Sequence, residues 1–479
     1  MVINLIPLLP EIFLSICAMG LLIVGAHFGN ESSKVISWYS ALAAFVAIII
    51  MLNIPSNDAA VLNGLFKLDL YASVIKIIIL IGVIASIALS VRFLIQEGIS
   101  RFEYPILILL SAIGMMIMVS ANSMLSLYVG LELQSLALYV LAAFNRNSLK
   151  SSESGIKYFI LGALSSGLLL FGISLIYGFT GTIDFAVLQS SFAQAETISF
   201  GVTFGLVFIL AGLAFKISAV PFHMWTPDVY QGAPSSVTAF FAMVPKIAAM
   251  ALLMRLLFEP FIALEEQWVQ IIYFLSVASM VVGAFAAIAQ KSLKRLIAYS
   301  SIGNMGYVLI GIVAGSEQGV SAVVLYLLIY MVMTAGVFAV LLCMRRDNHA
   351  LDKITDLSGL SRTSPAMAYC LAILMFSLAG IPPFAGFFGK LAIFNSAVTS
   401  ELYILAIIGV LTSVIGAYYY LRIIKVMFFD EPEDEFDAGM PFARKVVLML
   451  SVLFVVCFIL KPSIILDTTQ AAASSLFSG

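Results

Sequence analysis

Apolar residues along this chain come in unbroken blocks of about twenty, and polar residues collect in the short gaps between them. Fourteen blocks stand out, near residues 4–27, 35–54, 72–95, 104–121, 123–144, 155–179, 200–221, 235–258, 267–289, 294–315, 318–343, 364–400, 402–424 and 442–462. Only helices and closed barrels satisfy their own backbone in lipid, and continuous rather than alternating apolarity selects helices. The pattern therefore predicts an all-α polytopic membrane protein of about fourteen transmembrane helices. The opening segment, MVINLIPLLPEIF, carries no basic residues ahead of its apolar run, which predicts an uncleaved first span.

Two blocks are too long for one straight pass. Thr197–Pro227 has no charge but Lys216, and Thr363–Ser400 has none but Lys390. As straight helices they would reach roughly 46 and 57 Å, against a hydrocarbon core of about 30 Å. Pro221 interrupts the first, and Pro382 and Pro383 interrupt the second, with Gly380, Gly386 and Gly389 nearby. These blocks are the seventh and twelfth, five apart. A repeat of five spans is odd, so its copies must be inverted across the membrane. The expected organisation is residues 1–103 for spans 1–3, 104–258 and 259–430 for two inverted five-helix repeats, and 431–479 for the last span and C-terminus. Paired broken segments in matching halves point to a transporter's ion site.

Composition closes off the soluble classes. Of the 479 residues 62% are hydrophobic and 10% charged, where a soluble domain carries about 25% charged residues. A net charge of -2 gives no hold on nucleic acid. Four separate cysteines without a CxxC pair, and the lack of a glycine-rich phosphate loop, predict no metal and no cofactor bound by this chain. Of the 24 Lys and Arg, five (Lys76, Lys157, Lys216, Lys246, Lys390) fall within or at the ends of spans. Three (Lys67, Arg255, Lys461) fall in segments on the N-terminal side, and the other sixteen on the opposite side. That asymmetry puts both termini outside. Trp38, Trp225 and Trp268 lie at span ends, as an interfacial aromatic belt would place them.

Charge inside the membrane is costly, roughly 2.5–3.5 kcal/mol per residue on insertion scales, so it marks function. Glu132 stands at the middle of span 5, Lys216 five residues before Pro221, Lys246 at the centre of span 8 just after Pro245, and Lys390 in the second broken span. Lys157 is nearer a surface. Lys76 and Glu11 lie close enough to the outer ends of their spans to snorkel. His223 could relay protons or hold the backbone that Pro221 frees, and Asp228 and Tyr230 read as turn and cap residues. A glutamate and several lysines in one dry layer titrate as a coupled set. Lysine suits protons, because an ammonium repels a metal cation. The residues by themselves predict a proton-translocating membrane subunit.

At these residues the chain resembles the antiporter-like subunits of respiratory complex I, the proton-pumping NADH–quinone oxidoreductase, and their N-type branch in particular. The matching stretches are GLELQSLALYVLAAF at 130–144, GLAFKISAVPFHMWTPDVYQGAP at 212–234, FFAMVPKIAAM at 240–250, KSLKRLIAYSSIGNMGY at 291–307 and LSGLSRTSPAMAYCLAILMFSLAGIPPFAGFFGK at 357–390. The resemblance covers nearly the whole chain. It implies fourteen helices with inverted repeats and broken helices 7 and 12, and Glu132 and Lys216 as the modulating pair of one half-channel. Lys246 would be the central relay, Lys390 the residue of the second half-channel, and Lys157 a further member of the hydrophilic axis. It also implies a non-redox subunit of a translocase in the bacterial inner membrane, with NADH, FMN, iron–sulfur clusters and quinone on other subunits. Its partners would be an M-type neighbour, small membrane subunits and the lipid bilayer.

The L-type relative continues into a long lateral helix, whereas here about 17 residues follow the last span. The M-type looks to carry glutamate where Lys390 stands. Subunits of multisubunit sodium/proton antiporters share the Glu/Lys pattern and are the alternative. One departure concerns span 10. Relatives often carry a histidine there, but this chain reads SSIGNMGY, with Asn304 and Met305.

Overall fold

A computed structural model of the chain describes residues 5–477 other than 433 and 438. Three leading helices, α1 (Leu9–Phe28), α2 (Ser33–Asn53) and α3 (Leu70–Gln96), precede α4 (Glu103–Val119), α5 (Met124–Ala142), α6 (Leu149–Thr180) and a short α7 (Phe185–Gln194). Next come α8 (Phe200–Ile217), α9 (Trp225–Gly232), α10 (Ser235–Met243), α11 (Pro245–Phe258), α12 (Glu265–Ile288), α13 (Leu293–Val313) and α14 (Glu317–Leu341). The chain ends with α15 (Leu360–Thr363), α16 (Pro365–Ala379), α17 (Ala385–Thr399), α18 (Tyr403–Phe429), α19 (Phe442–Cys457) and α20 (Ser463–Phe477). Among the described residues, eleven helical stretches are long and apolar enough to cross a membrane, the first of them holding both α1 and α2. With the shorter apolar helices α4 and α16 they make the fourteen expected passes.

Small polar residues open many of these helices. The Asp69, Ser123, Ser199, Ser292 and Ser316 side chains accept from backbone N–H groups in the first turns of α3, α5, α8, α13 and α14, donors that lipid would leave unsatisfied. Two helix pairs, α4 with α5 and α12 with α13, cross at glycine. A Cβ on Gly130 would stand 2.7 Å from the Met118 nitrogen, and one on Gly283 would stand 2.5 Å from the Gly303 nitrogen. Without a hydrophobic drive between helices, such close backbone approach is what holds α4 to α5 and α12 to α13.

Spans 7 and 12 are broken as expected, between α8 and α9 and between α16 and α17. A third interruption was not expected. Span 8 is divided at Val244 into α10 and α11, because Pro245 has no N–H to give the Phe241 carbonyl. The Tyr230 hydroxyl donates to that carbonyl instead, at 3.1 Å, so Tyr230 caps span 8 as well as following the break in span 7. The C-terminal residues add a helix, α20, packed against the starts of α3 and α14 and the end of α11.

Five placements differ from the sequence reading. Neither Lys76 nor Glu11 snorkels: Lys76 is 0% exposed and Glu11 3%, they pair at 2.6 Å, and Lys76 lies 4.5 Å from the centre of the Phe66 ring. Arg255 is no loop residue. It is fully buried in the last turn of α11, forked onto Asp69 at 2.9 Å and paired with Glu259 at 2.7 Å, and its Nε donates to the Val119 carbonyl. Trp225 and Trp268 are internal, each donating its indole N–H to a backbone carbonyl, so only Trp38 is exposed as a belt residue would be.

Burial pushes the Asp69 carboxyl up, but the Arg255 guanidinium, the Ala72 N–H and Lys67 outweigh it and leave it below the ordinary carboxylate range. Its folded value lies below its unfolded one, so its share of stability is complete above about pH 4 and fades as the pH falls through the folded value. Arg255→Gln leaves that buried carboxylate with only Lys67, 3.9 Å away, as a cationic partner, a loss of about 3 kcal/mol. The thermal midpoint of the detergent-purified protein should fall by several degrees. An unchanged midpoint would show that the cluster does not hold α3, α4 and α11 together.

Candidate functional site: buried lysines around two broken helices

The first break places a lysine at the end of a half-helix. Ser218 takes a left-handed conformation (φ +63°) that stops α8, leaving Lys216 in its last turn, where the helix dipole favours a cation. The freed backbone groups find side chains: the Val220 N–H donates to Ser279 Oγ at 2.9 Å, and Trp225 Nε1 donates to the Phe215 carbonyl at 3.0 Å. The Val220–Pro221 and Pro382–Pro383 bonds are cis. His223 is half-buried beside the Pro221 backbone, with its Nδ1 buried and unpartnered.

Lys216 Nζ donates to Ser135 Oγ at 2.7 Å and to the Tyr139 hydroxyl at 3.3 Å. Glu132, Ser135 and Tyr139 are three and four residues apart, so they share one face of α5. Glu132 thus acts electrostatically on Lys216 without touching it. Its Oε1 is buried with no hydrogen-bond partner, and among the described residues it forms no ion pair. The lysine stands roughly a helical turn along the face from the carboxylate that sequence reasoning gave it as a partner.

Lys246, in the first turn of α11, donates to Ser301 Oγ of α13 at 2.6 Å, and its Nζ lies 5.3 Å from the centre of the Tyr230 ring. Lys390, on α17, reaches back across the second break. It donates to the Ala379 carbonyl at the C-terminal end of α16 (3.0 Å) and to Ser413 Oγ (2.8 Å), with the Tyr307 ring centre 5.2 Å away. Both breaks thus have a lysine at the C-terminal end of the first half-helix, Lys216 by its place in the last turn and Lys390 through its ammonium. Gly380 leaves room for this. Its φ is +84°, and an added Cβ would stand 2.8 Å from Lys390 Cδ.

Helix α13 links the second and third lysines. Ser301 holds Lys246, and the Tyr307 ring faces Lys390. Between them Asn304 donates to the Ser300 carbonyl (2.8 Å) and accepts from the Tyr326 hydroxyl (2.6 Å), while Ser300 Oγ bonds the Tyr420 hydroxyl. The position without a histidine is thus filled by an amide among hydroxyls. These residues are neutral, so a search for charge passes over them; their spacing of three to four was the available signal. The first and second lysines are joined differently, by an aromatic wall. Tyr139 meets Tyr158 edge-on, Tyr158 stacks on Trp225 at 4.4 Å, and Trp225 meets Tyr230 below Lys246.

Lys157 stands apart from this group. Its side chain is 41% exposed and pairs with Glu153 (2.6 Å) and Asp228 (2.9 Å), and Asp228 also pairs with Arg295 of α13 at 2.8 Å. Asp228 therefore ties α6, α9 and α13 at one end of the bundle. Lys294, which the sequence places in a loop, is buried and donates to the Ala233 carbonyl at 2.9 Å, closing the end of α9.

A family model described as NADH:quinone oxidoreductase/Mrp antiporter, TM, matches residues 121–416, the stretch that holds Lys157, Lys216, Lys246, Lys294 and Lys390. NADH-quinone oxidoreductase subunit N of Parvibaculum lavamentivorans is 52% identical over 98% of this chain and 97% of its own length. The chain belongs to the NADH-quinone oxidoreductase subunit N family. Subunit N 1 of Rhizobium meliloti is likewise 52% identical, over 98% of this chain and 97% of its own. Among solved structures, a chain of respiratory complex I from Thermus thermophilus superposes with a TM-score of 0.82 at 31% identity, covering 97% of this chain and all of that one. A chain of the Mrp complex from Dietzia sp. shares the fold, with a TM-score of 0.84 at 21% identity. Membership of the subunit N family makes this a multi-pass membrane protein of the antiporter-like fold.

Proposed function

We propose that this chain is a proton-translocating membrane-arm subunit of a bacterial NADH–quinone oxidoreductase. It carries protons through a layer formed by Lys216, Lys246 and Lys390. The observation that carries this reading is the kind of partner each lysine has. Hydroxyls and a carbonyl hold all three ammoniums, with no carboxylate in contact among the described residues. Such a lysine can release its proton without stranding a buried carboxylate, as Lys76 beside Glu11 could not. Glu132 modulates Lys216 from one helical turn away. The Ser301–Asn304–Tyr307 face of α13 passes protons between Lys246 and Lys390, taking the place of a histidine.

Both termini face the periplasm, the membrane is the cell inner membrane, and protons move from the cytoplasm outward. NADH, FMN, iron–sulfur clusters and quinone belong to other subunits, and this chain contributes to the translocase without a redox centre. Pumping works against about 2.3 kcal/mol per charge per 100 mV, which quinone chemistry elsewhere in the complex supplies.

Purification through a tag on this chain is expected to bring down an NADH-oxidising assembly. In proteoliposomes that assembly should acidify the interior on NADH addition, with or without sodium. Recovery of a small assembly that exchanges sodium for protons without NADH oxidation would instead establish the antiporter-complex alternative. A finer test is Gly380→Ala, which places a Cβ on Lys390 and strains a left-handed residue by about 1–2 kcal/mol. Turnover should fall severalfold while assembly persists, and an unaltered rate would show that the Lys390 position does not matter.

A further inference from the structure

A cleft of about 1020 Å³ opens between α2, α3, α14 and α19, away from the lysine layer. Its walls are apolar, with Ile81 on α3 and Phe454 on α19 among them, and no acidic side chain lines it. One end differs from the rest. Lys34 in the first turn of α2, Arg92 near the end of α3 and Arg444 in the first turn of α19 all line the cleft there.

Among the described residues these cations lack acidic partners. Lys34 and Arg92 are exposed and form no ion pair. Arg444 is only 1% exposed. It donates through Nη1 to the Leu342 carbonyl at 2.6 Å and through Nε to the Leu89 carbonyl at 3.4 Å, but its buried Nη2 has no partner. A buried guanidinium with no carboxylate beside it makes this end of the cleft positive and favours an anion next to it. Arg92 and Arg345 lie close enough to act on it, which adds positive potential rather than relieving it.

Length and polarity together specify the occupant. From Arg444 to Phe454 is ten residues, about 15 Å along a helix, and from Arg92 back to Ile81 is eleven, about 16 Å. One leaflet of a bilayer core is also about 15 Å deep. All three cations lie on the side where the chain concentrates its basic residues. We infer that this cleft is a specific binding site for a two-chain anionic phospholipid. Lys34 and Arg92 hold its phosphate, the buried Arg444 guanidinium adds positive potential beside it, and its acyl chains lie along α3 and α19. A helix from another subunit would fill the apolar part but would have to bring its own acidic groups to the cationic end. This inference does not depend on the proton-carrying role.

The test uses the intact complex in phosphatidylcholine vesicles doped with phosphatidylglycerol that carries a photoreactive acyl chain. Labelling should concentrate on the peptide 442–457. Lys34→Gln or Arg92→Gln should each lower it about fivefold, since a basic residue near an anionic surface contributes on that scale. Both residues are exposed, so neither change threatens the fold. Photoreactive phosphatidylcholine should label the same peptide weakly in every variant. Equal labelling by the two lipids, labelling unchanged in both variants, or no labelling of α19 because a protein helix covers it would each overturn the inference.

Discussion

A complex carrying Lys246→Ala in this chain is expected to assemble at wild-type levels and to lose nearly all NADH-driven proton translocation. Lys246 is buried in the first turn of α11, between the aromatic wall on the Lys216 side and the hydroxyl face of α13 on the Lys390 side. Removing its ammonium leaves protons to cross an apolar gap. Desolvating a charge without a partner costs several kcal/mol, while a barrier rise of only about 1.4 kcal/mol slows a step about tenfold. NADH–quinone turnover should therefore fall by about tenfold or more. Pumping at the wild-type rate would place the path elsewhere. Lost assembly as the sole defect would mean that the lysines serve only to bind helices together.

Glu132→Gln should depress turnover nearly as strongly, for a different reason. Lys216 rests on Ser135 and Tyr139, with Glu132 about one helical turn further along α5. At about 5.4 Å in an effective dielectric of about 20, such a pair is worth about 3 kcal/mol. Glutamine keeps the shape and removes that attraction, so Lys216 loses its second resting place and the first half-channel its switch. Turnover of the assembled complex should drop about tenfold or more, and Glu132→Asp should restore part of it. Equal activity of the aspartate and glutamine variants would show that the charge has no such role.

Much of this arrangement is legible in the sequence because lipid is an unforgiving solvent. Fourteen apolar blocks became fourteen passes, and length with proline was enough to place both breaks. What escaped depends on tertiary contact. A charge near the end of a block looks the same whether it snorkels or pairs, so Glu11 with Lys76, and Arg255 with Asp69, could not be told from solvated ends. Trp225 and Trp268 sit at span ends in sequence yet point into the bundle. Pro245 was visible, but that Tyr230 supplies the donor it lacks depends on a contact between distant turns. The separation of Glu132 from Lys216 is a matter of one helical turn, finer than spacing along two distant segments can resolve.

The central claim is that protons pass from Lys246 to Lys390 along α13. An experimental map of the intact complex that resolves ordered water tests it most directly. The account predicts waters within about 3.2 Å of one another joining Ser301, Asn304 and Ser413 into one chain between the two lysines, in at least one turnover state. Close apolar packing with no water between Lys246 and Lys390 in every state would contradict it.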